Sequence, residues 1–288
     1  MPDKTTPLVR IDTFGKLTVY GKLENLNPSG SVKYRTVTRM LSDAIRSGEL
    51  REGMRLIEVT SGNTGIALAF RGRELGYPVT IVTSQLATDE TKRMIRGYGA
   101  EIIESDSYQG GMRLIERRMR EEPKSWYWTR QTTNPSSLQA NMELGREILG
   151  QFGAQFGGRI DAYMGSTSGG STLTGVARAL KEANPMTRVY RVAPKGEFKN
   201  AGVEDITDEY IPLLPLFDKH VVDEVVRVGE DEAIAAAREL AEKYKIAVGI
   251  SAGADFAAAK SVAGSVSGNC VLVFPDSADR YSVLTEKQ

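Results

Sequence analysis

Short apolar runs alternate with longer helical stretches along almost the whole of this 288-residue chain. Arg55-Leu56-Ile57-Glu58-Val59-Thr60 reads as a strand, and Thr64 to Leu75 as a helix stopped by Gly76 and Pro78. Val79 to Thr83 is β-rich, Asp89 to Tyr98 is helical, and Glu101 to Glu104 is a strand again. The second half repeats the rhythm. Strands are expected at Ile160–Met164, Arg188–Val192, Ile246–Ile250 and Cys270–Phe274, with helices at Thr172–Ala183 and Glu230–Tyr244. A parallel strand needs a long crossover to reach its neighbour, so this alternation argues for parallel sheets covered by helices. Thr133-Asn134-Pro135-Ser136-Ser137 is turn-rich and marks the hinge between two such runs. Binding sites in open sheets of this kind lie beyond the carboxyl ends of the strands.

Composition removes several kinds of chemistry. Lys+Arg and Asp+Glu are both 37, so no net field draws the chain to nucleic acid or to an anionic membrane. No apolar stretch is long enough to span a bilayer, and Met1 to Thr6 has no apolar signal core, which argues against export. Cys270 is the only cysteine and lies in an apolar strand, so an internal disulfide and a cysteine metal cage are excluded. His220 is the only histidine, which excludes a multi-histidine metal site. Lysine is then the natural place to seek covalent chemistry.

Three segments carry that chemistry. Asn27-Pro28-Ser29-Gly30-Ser31-Val32-Lys33 puts an amine near the start of a helix expected over about 31–47. There the positive end of the helix dipole disfavours an ammonium. An ordinary exposed lysine is the plain alternative. Thr60-Ser61-Gly62-Asn63-Thr64-Gly65 follows a strand and opens a helix, so amides and hydroxyls converge as they would on an anion; a simple turn with a cap is the alternative. Ser166-Thr167-Ser168-Gly169-Gly170-Ser171-Thr172 is a hydroxyl-rich nest suited to phosphate. It is neither a Walker loop nor a dinucleotide fingerprint, since the lysine and the glycine spacing are absent. Gly249-Ile250-Ser251 and Pro275-Asp276-Ser277 join further strand ends, where caps and turns are common.

In this order the segments resemble the fold-type II pyridoxal-phosphate enzymes, specifically the cysteine synthase and cystathionine β-synthase family. The resemblance runs from Thr6-Pro7-Leu8-Val9-Arg10 through Gln131-Thr132-Thr133-Asn134-Pro135 to Pro275-Asp276-Ser277-Ala278-Asp279-Arg280-Tyr281. It implies an α/β fold of two open, mainly parallel twisted sheets covered by helices, tryptophan synthase β-like, with the cofactor in the cleft between domains. The smaller, mobile domain would span 29–134, and the larger one 1–28 with 135–288. The cofactor implied is pyridoxal 5'-phosphate, and no metal.

Carried over residue by residue, Lys33 is the Schiff-base lysine and Asn63 contacts the ring oxygen. Thr60, Ser61, Thr64 and Gln131 take the substrate carboxylate. Ser168, Gly169, Gly170, Ser171 and Thr172 hold the phosphate, and Ser251 faces the pyridine nitrogen. The reaction implied is β-replacement through an aminoacrylate, making L-cysteine from O-acetylserine or O-phosphoserine and sulfide. Cystathionine β-synthesis, another β-substituted alanine synthesis and a non-catalytic anion- or partner-binding role are the alternatives. The partners implied are a small amino acid, sulfide or a thiol, and a second copy of the chain in a cytoplasmic homodimer.

The chain departs from the family at three places. The phosphate loop reads Ser-Gly-Gly-Ser-Thr instead of Gly-Thr-Gly-Gly-Thr. Tyr34 replaces the aspartate that usually follows the lysine. The substrate loop after the Glu-Pro position is altered over Ala193 to Gly202, where Lys195 and Lys199 either meet a phosphate leaving group or are solvated surface lysines.

Overall fold

The computed structural model describes residues 5–84, 87–199, 203, 205–207, 209 and 211–285. Along the chain these form β1 (Leu8–Phe14), β2 (Leu17–Leu23), α1 (Lys33–Ser47), β3 (Arg55–Val59), α2 (Asn63–Leu75), β4 (Val79–Ser84) and α3 (Asp89–Gly97). There follow β5 (Glu101–Ser105), α4 (Tyr108–Glu121), β6 (Trp126–Trp128), α5 (Pro135–Gln155), β7 (Ala162–Ser166), α6 (Ser171–Ala183) and β8 (Arg188–Pro194). The last elements are β9 (Glu224–Val228), α7 (Glu230–Tyr244), α8 (Ile250–Val262), β10 (Gly268–Phe274) and a final turn, α9 (Ser282–Thr285). The chain is thus α/β, with mainly parallel sheets and covering helices.

It divides into two compact units, one of Met1–Gly30 with Leu138–Gln288 and one of Ser31–Ser137. The second unit holds a four-stranded sheet in the order β5-β4-β3-β6, parallel throughout. Val37, Met40, Leu41 and Ala44 recur at helical spacing in α1, and all four are buried. They pack with Leu56, Ile66, Ala67, Val79 and Ile81, so the sheet is apolar on the side that α1 and α2 cover. Gly48 and Gly76, both at φ +77°, end these two helices in the left-handed conformation that glycine adopts without penalty.

The first unit holds a six-stranded sheet in the order β1-β2-β10-β7-β8-β9. Only β1 and β2 are antiparallel; β2, β10, β7, β8 and β9 run parallel. This hairpin at the sheet edge is absent from the sequence-based reading, as are β6, β9, α4 and the 21-residue α5. Lys22 of β2 is fully buried; its ammonium meets the Thr6 carbonyl at 2.5 Å, the Glu147 carboxylate and Gln151 Oε1 at 2.8 Å. A buried lysine is tolerated because each donor finds an acceptor, and here it fastens β2 to α5.

The expected strand at Ile246–Ile250 does not form. Val248 makes one isolated bridge to Ser277, and Gly249 caps α8. The apolar run is real, since Val248 and Ile250 are both fully buried, but packing against the core satisfies it without strand pairing. Short apolar runs carry no periodicity that separates these outcomes.

α7 and α8 cross in close contact because both present small residues: Ala233, Ala236 and Ala237 on one side, Gly253 on the other. A Cβ at Gly253 would lie 2.1 Å from the Ala233 carbonyl oxygen and 2.8 Å from the Ala237 nitrogen, both backbone atoms. Gly253→Ala should therefore lower stability by about 3 kcal/mol, the upper range for overpacking. Urea unfolding of the two proteins measures it, and an unchanged midpoint would refute the packing argument.

Candidate active site

Lys33 is the first residue of α1, two residues later than the start expected from sequence, and is half-buried. Its carbonyl accepts from Thr36 Oγ1 at 3.0 Å. Ser31, just before it, is fully buried, and its hydroxyl has no partner among the described residues. The turn leading to this point ends at Gly30, φ +72°. A Cβ there would lie 2.7 Å from Arg280 Nη2, which donates to the Ser29 carbonyl at 2.5 Å. Gly30 is thus required twice, by its dihedral and by the buried guanidinium.

Tyr34 takes the place of a charge with an aromatic contact. Its ring packs edge-on against Phe70 of α2 at 6.1 Å, with the Arg71 guanidinium 5.5 Å away over its face. Phe70 in turn meets Tyr98 at 5.2 Å. An edge-on ring pair and a cation over the Tyr34 face hold α1 to α2 at this position.

The loop Thr60–Gly62 joins the carboxyl end of β3 to α2, and Asn63 and Thr64 form the first turn of that helix. Gly62 is the N-cap and no side chain caps the helix. Gln131 is brought to this loop: Thr64 Oγ1 donates to its Oε1, and its Nε2 donates to the Val59 carbonyl at 3.4 Å. Thr60 and Thr64 are buried, whereas Ser61 is exposed and Asn63 half-buried.

What fixes Gln131 is Glu58, which the sequence-based reading assigned to a strand and to nothing more. Glu58 lies in β3 and is buried. Its Oε1 accepts from the Val59 amide at 2.8 Å and Trp128 Nε1 at 3.1 Å; its Oε2 accepts from Thr129 Oγ1 at 2.5 Å and the Gln131 amide at 2.9 Å. Burial raises its pKa, against the pull of these four donors. A left-handed residue, Arg130 at φ +50°, makes the turn that returns Gln131 to this carboxyl.

In the other unit, the loop from Thr167 to Gly170 joins the carboxyl end of β7 to α6. Gly170, φ +76°, is the N-cap, again with no side-chain cap. A Cβ on it would strike Phe217 at 2.5 Å, so this glycine is closed in, whereas Gly169 faces open space. Ser171 is buried, with Asn141 Nδ2 3.5 Å from its hydroxyl; Ser168 and Thr172 are half-buried. Thr167 Oγ1 is buried and has no partner among the described residues.

Ser251 sits in the first turn of α8, after the N-cap Gly249. That cap is forced, because a Cβ would lie 2.0 Å from Asp276 Oδ1. One turn further on lies Asp255, buried, its carboxyl pushed well above the usual carboxylate range by burial.

These helix starts share a property. α3 and α4 are capped by Thr88 and Ser107, whose hydroxyls accept from the Thr91 and Gly110 amides. α7 begins at Gly229, but Glu232 folds back to its amide at 2.8 Å. α2, α6 and α8 have glycine caps and no such bond. A helix start that no side chain caps is one where an anion can be held.

Lys195 and Lys199 are exposed and line a surface recess with Glu197, Glu230, Asp231 and Glu232. Carboxylates surround both cations. Asn200, Ala201 and Gly202 of the same altered loop lie outside the described residues. His220 is exposed, and Cys270 is buried with its thiol pushed well above its ordinary pKa by burial, so that thiol is not a ready nucleophile. Among the described residues no cluster of histidine, cysteine and carboxylates could hold a metal ion, and no helix is long and apolar enough to cross a membrane.

Known proteins place this geometry in context. A family model described as pyridoxal-phosphate dependent enzyme matches residues 2–276. A cysteine synthase of Aquifex aeolicus is 34% identical over 96% of this chain and 88% of its own length. An O-acetylserine dependent cystathionine beta-synthase of Bacillus subtilis is 34% identical over 96% of this chain and 92% of its own. Among solved structures, an O-ureido-L-serine synthase superposes with a TM-score of 0.87 at 30% identity, covering 97% of this chain and 91% of that one.

Removing the Glu58 carboxyl leaves four donors without an acceptor. Glu58→Ala should cost about 3 kcal/mol. Glu58→Gln should cost less, by an amount that depends on pH. Because the folded pKa is raised, the wild-type contribution is full below the ordinary glutamate range and is lost as pH rises through the raised value. The gap between Gln variant and wild type should thus narrow with rising pH in urea titrations. A gap that widens would show that the buried group is an ordinary ionised carboxylate.

Proposed function

The chain belongs to the pyridoxal-phosphate dependent enzymes, and from this we propose that it performs β-replacement, making L-cysteine from O-acetylserine or O-phosphoserine and sulfide. The observation that carries the reading is the set of three glycine-capped helix starts, in a chain that also begins a helix with a lysine.

The residues fit the cofactor. The Thr172 loop offers a helix start without a side-chain cap, the buried unpartnered Thr167 hydroxyl and a glycine facing open space, a set suited to a phosphate. Ser168, Gly169, Gly170, Ser171 and Thr172 would hold that phosphate, Asn63 the ring oxygen and Ser251 the ring nitrogen. Pyridoxal phosphate, when bound, supplies the electron sink that lets a bond at the substrate's Cα break.

Everything else falls to the protein. Thr60, Ser61, Thr64 and Gln131 hold the substrate carboxylate, with the α2 amides behind them. Gln131 is pre-set by Glu58, so this grip costs little ordering. Lys33 would hold the cofactor by its amine, and the same amine, once free, is the base that would take the Cα proton and return it. The leaving group departs from Cβ, and the sulfur nucleophile adds at the same carbon. Ser251 is a neutral hydroxyl, so no carboxylate at that position keeps the ring nitrogen protonated. That weaker pull suits elimination over transamination.

Acetate is the favoured leaving group, since Lys195 and Lys199 stand among carboxylates instead of facing a bare anion site. Homocysteine as nucleophile is the second reading, favoured by the 34% identity to a protein named as an O-acetylserine dependent cystathionine beta-synthase. The resemblance also implies a cytoplasmic homodimer, and sedimentation of the purified protein tests the dimer.

Borohydride reduction of the cofactor-loaded protein and peptide mapping should label Lys33. Label elsewhere, or none, would overturn its role. Thr172→Val should weaken cofactor retention by about 1–3 kcal/mol, the cost of a lost donor to a charged acceptor. With O-acetylserine and sulfide the product should be cysteine; turnover only of serine with homocysteine would move the assignment to cystathionine synthesis.

A further inference from the structure

Gln131 stands on a loop whose backbone is held in an uncommon conformation. Arg130, just before it, has φ +50°, a left-handed geometry that costs energy in a residue with a side chain. Such a geometry persists only where the surroundings fix it. Glu58 fixes one side, through the Thr129 hydroxyl and the Gln131 amide. Asn134 fixes the other. Its Nδ2 donates to the Thr129 carbonyl at 3.0 Å, and its backbone amide donates to the Arg130 carbonyl at 2.9 Å. Its Oδ1 accepts from the Ser136 amide at 3.0 Å, which caps α5 with Pro135 in the first helical position. The side-chain amide is thus used at both ends, and its orientation follows from its partners, a carbonyl and an N–H.

We propose that Asn134 is a positioning residue for the grip on the substrate carboxylate, holding Gln131 in place by closing the turn at Arg130. This role rests on Gln131 taking that carboxylate. Thr129 is fully buried; its amide donates to the Ile57 carbonyl at 3.3 Å, its hydroxyl to Glu58, and its carbonyl accepts from Asn134. With all three polar groups engaged, Thr129 sends the loop away from β6 in one direction. A buried carbonyl deprived of its donor is costly, and the backbone would turn to relieve it. Gln131, two residues on, would turn with it and lose Thr64 Oγ1 and the Val59 carbonyl, the contacts that aim its side chain. A cap alone needs only an acceptor at position 134, and serine or aspartate would serve as well. Asparagine adds a donor, and the donor is what reaches the loop.

The experiment separates cap from donor. Asn134→Ser keeps a good cap and removes the amide without adding charge. The protein loaded with pyridoxal phosphate is titrated with L-alanine, which has an amine and a carboxylate but no leaving group at Cβ. The shift of the visible absorption band gives the dissociation constant. Asn134→Ser should weaken L-alanine by about fivefold to tenfold, as for a lost hydrogen bond to a buried group, with its urea midpoint near that of the wild type. Asn134→Asp, which also caps and lacks the donor, should behave alike and serves if Asn134→Ser does not fold. With O-acetylserine and sulfide, the KM for O-acetylserine should rise by a similar factor, and kcat should change by less than about twofold. Wild-type affinity for L-alanine in Asn134→Ser, alongside weakening in Gln131→Ala, would overturn the role of Asn134 alone. A lowered urea midpoint with unchanged affinity would also overturn it, by leaving Asn134 as a cap and nothing more. No response to L-alanine in the wild type, or wild-type affinity in Gln131→Ala, would remove the carboxylate reading and this inference with it.

Discussion

A glycine at a helix start has no side chain with which to satisfy the first amides, and this one deficit organises the molecule. Parallel strands covered on both faces leave the chain only one way to go at each carboxyl end, back into a helix. Where that helix is capped by threonine or serine, as in α3 and α4, the amides are spent internally. Where the cap is Gly62, Gly170 or Gly249, no side chain meets them. Two of these glycines are also sterically obligatory or nearly so, since Phe217 crowds Gly170 and Asp276 crowds Gly249. At those two positions packing keeps a capping side chain out, and a substitution that tried to add one would first have to displace a neighbour.

The alternation of strands and helices was legible in sequence because buried parallel strands leave continuous apolar runs and helices leave a periodic face. α7 was read to the residue, since Gly229, three acids in its first turn and Tyr244 mark it clearly. The hairpin of β1 and β2 was not read, because its turn at Gly15 lies in a segment without strong alternation and its pairing is tertiary. The run Ile246–Ile250 shows the converse: apolar character was legible, but its pairing state was not.

At the candidate site, loops were legible and their supports were not. Lys33, Asn63 and the Ser168–Thr172 nest announce themselves by small residues, hydroxyls and position after a strand. Glu58 does not, because a carboxylate inside an apolar run carries no sign of whether it is buried. The nearest available signal was the acid itself, at strand position 58 amid Leu56, Ile57 and Val59. What that acid meets comes from Thr129 and Gln131, some seventy residues away, and only the fold brings them together. Tyr34 is a milder case: sequence showed that a charge was missing, and Phe70 and Arg71 show what replaced it.

The bond between Trp128 and Glu58 has a practical side. Both tryptophans of the chain, Trp126 and Trp128, lie on β6 of the unit Ser31–Ser137. One of them shares its carboxyl partner with the backbone of Gln131. Indole emission thus arises from one unit alone and is wired to the residue that contacts Thr64. The single histidine belongs to the other unit, three residues from the Phe217 ring that covers Gly170. The molecule carries its own pair of spectroscopic labels, an optical one for the Gln131 side and a single imidazole resonance for the Gly170 side, with no engineered probe.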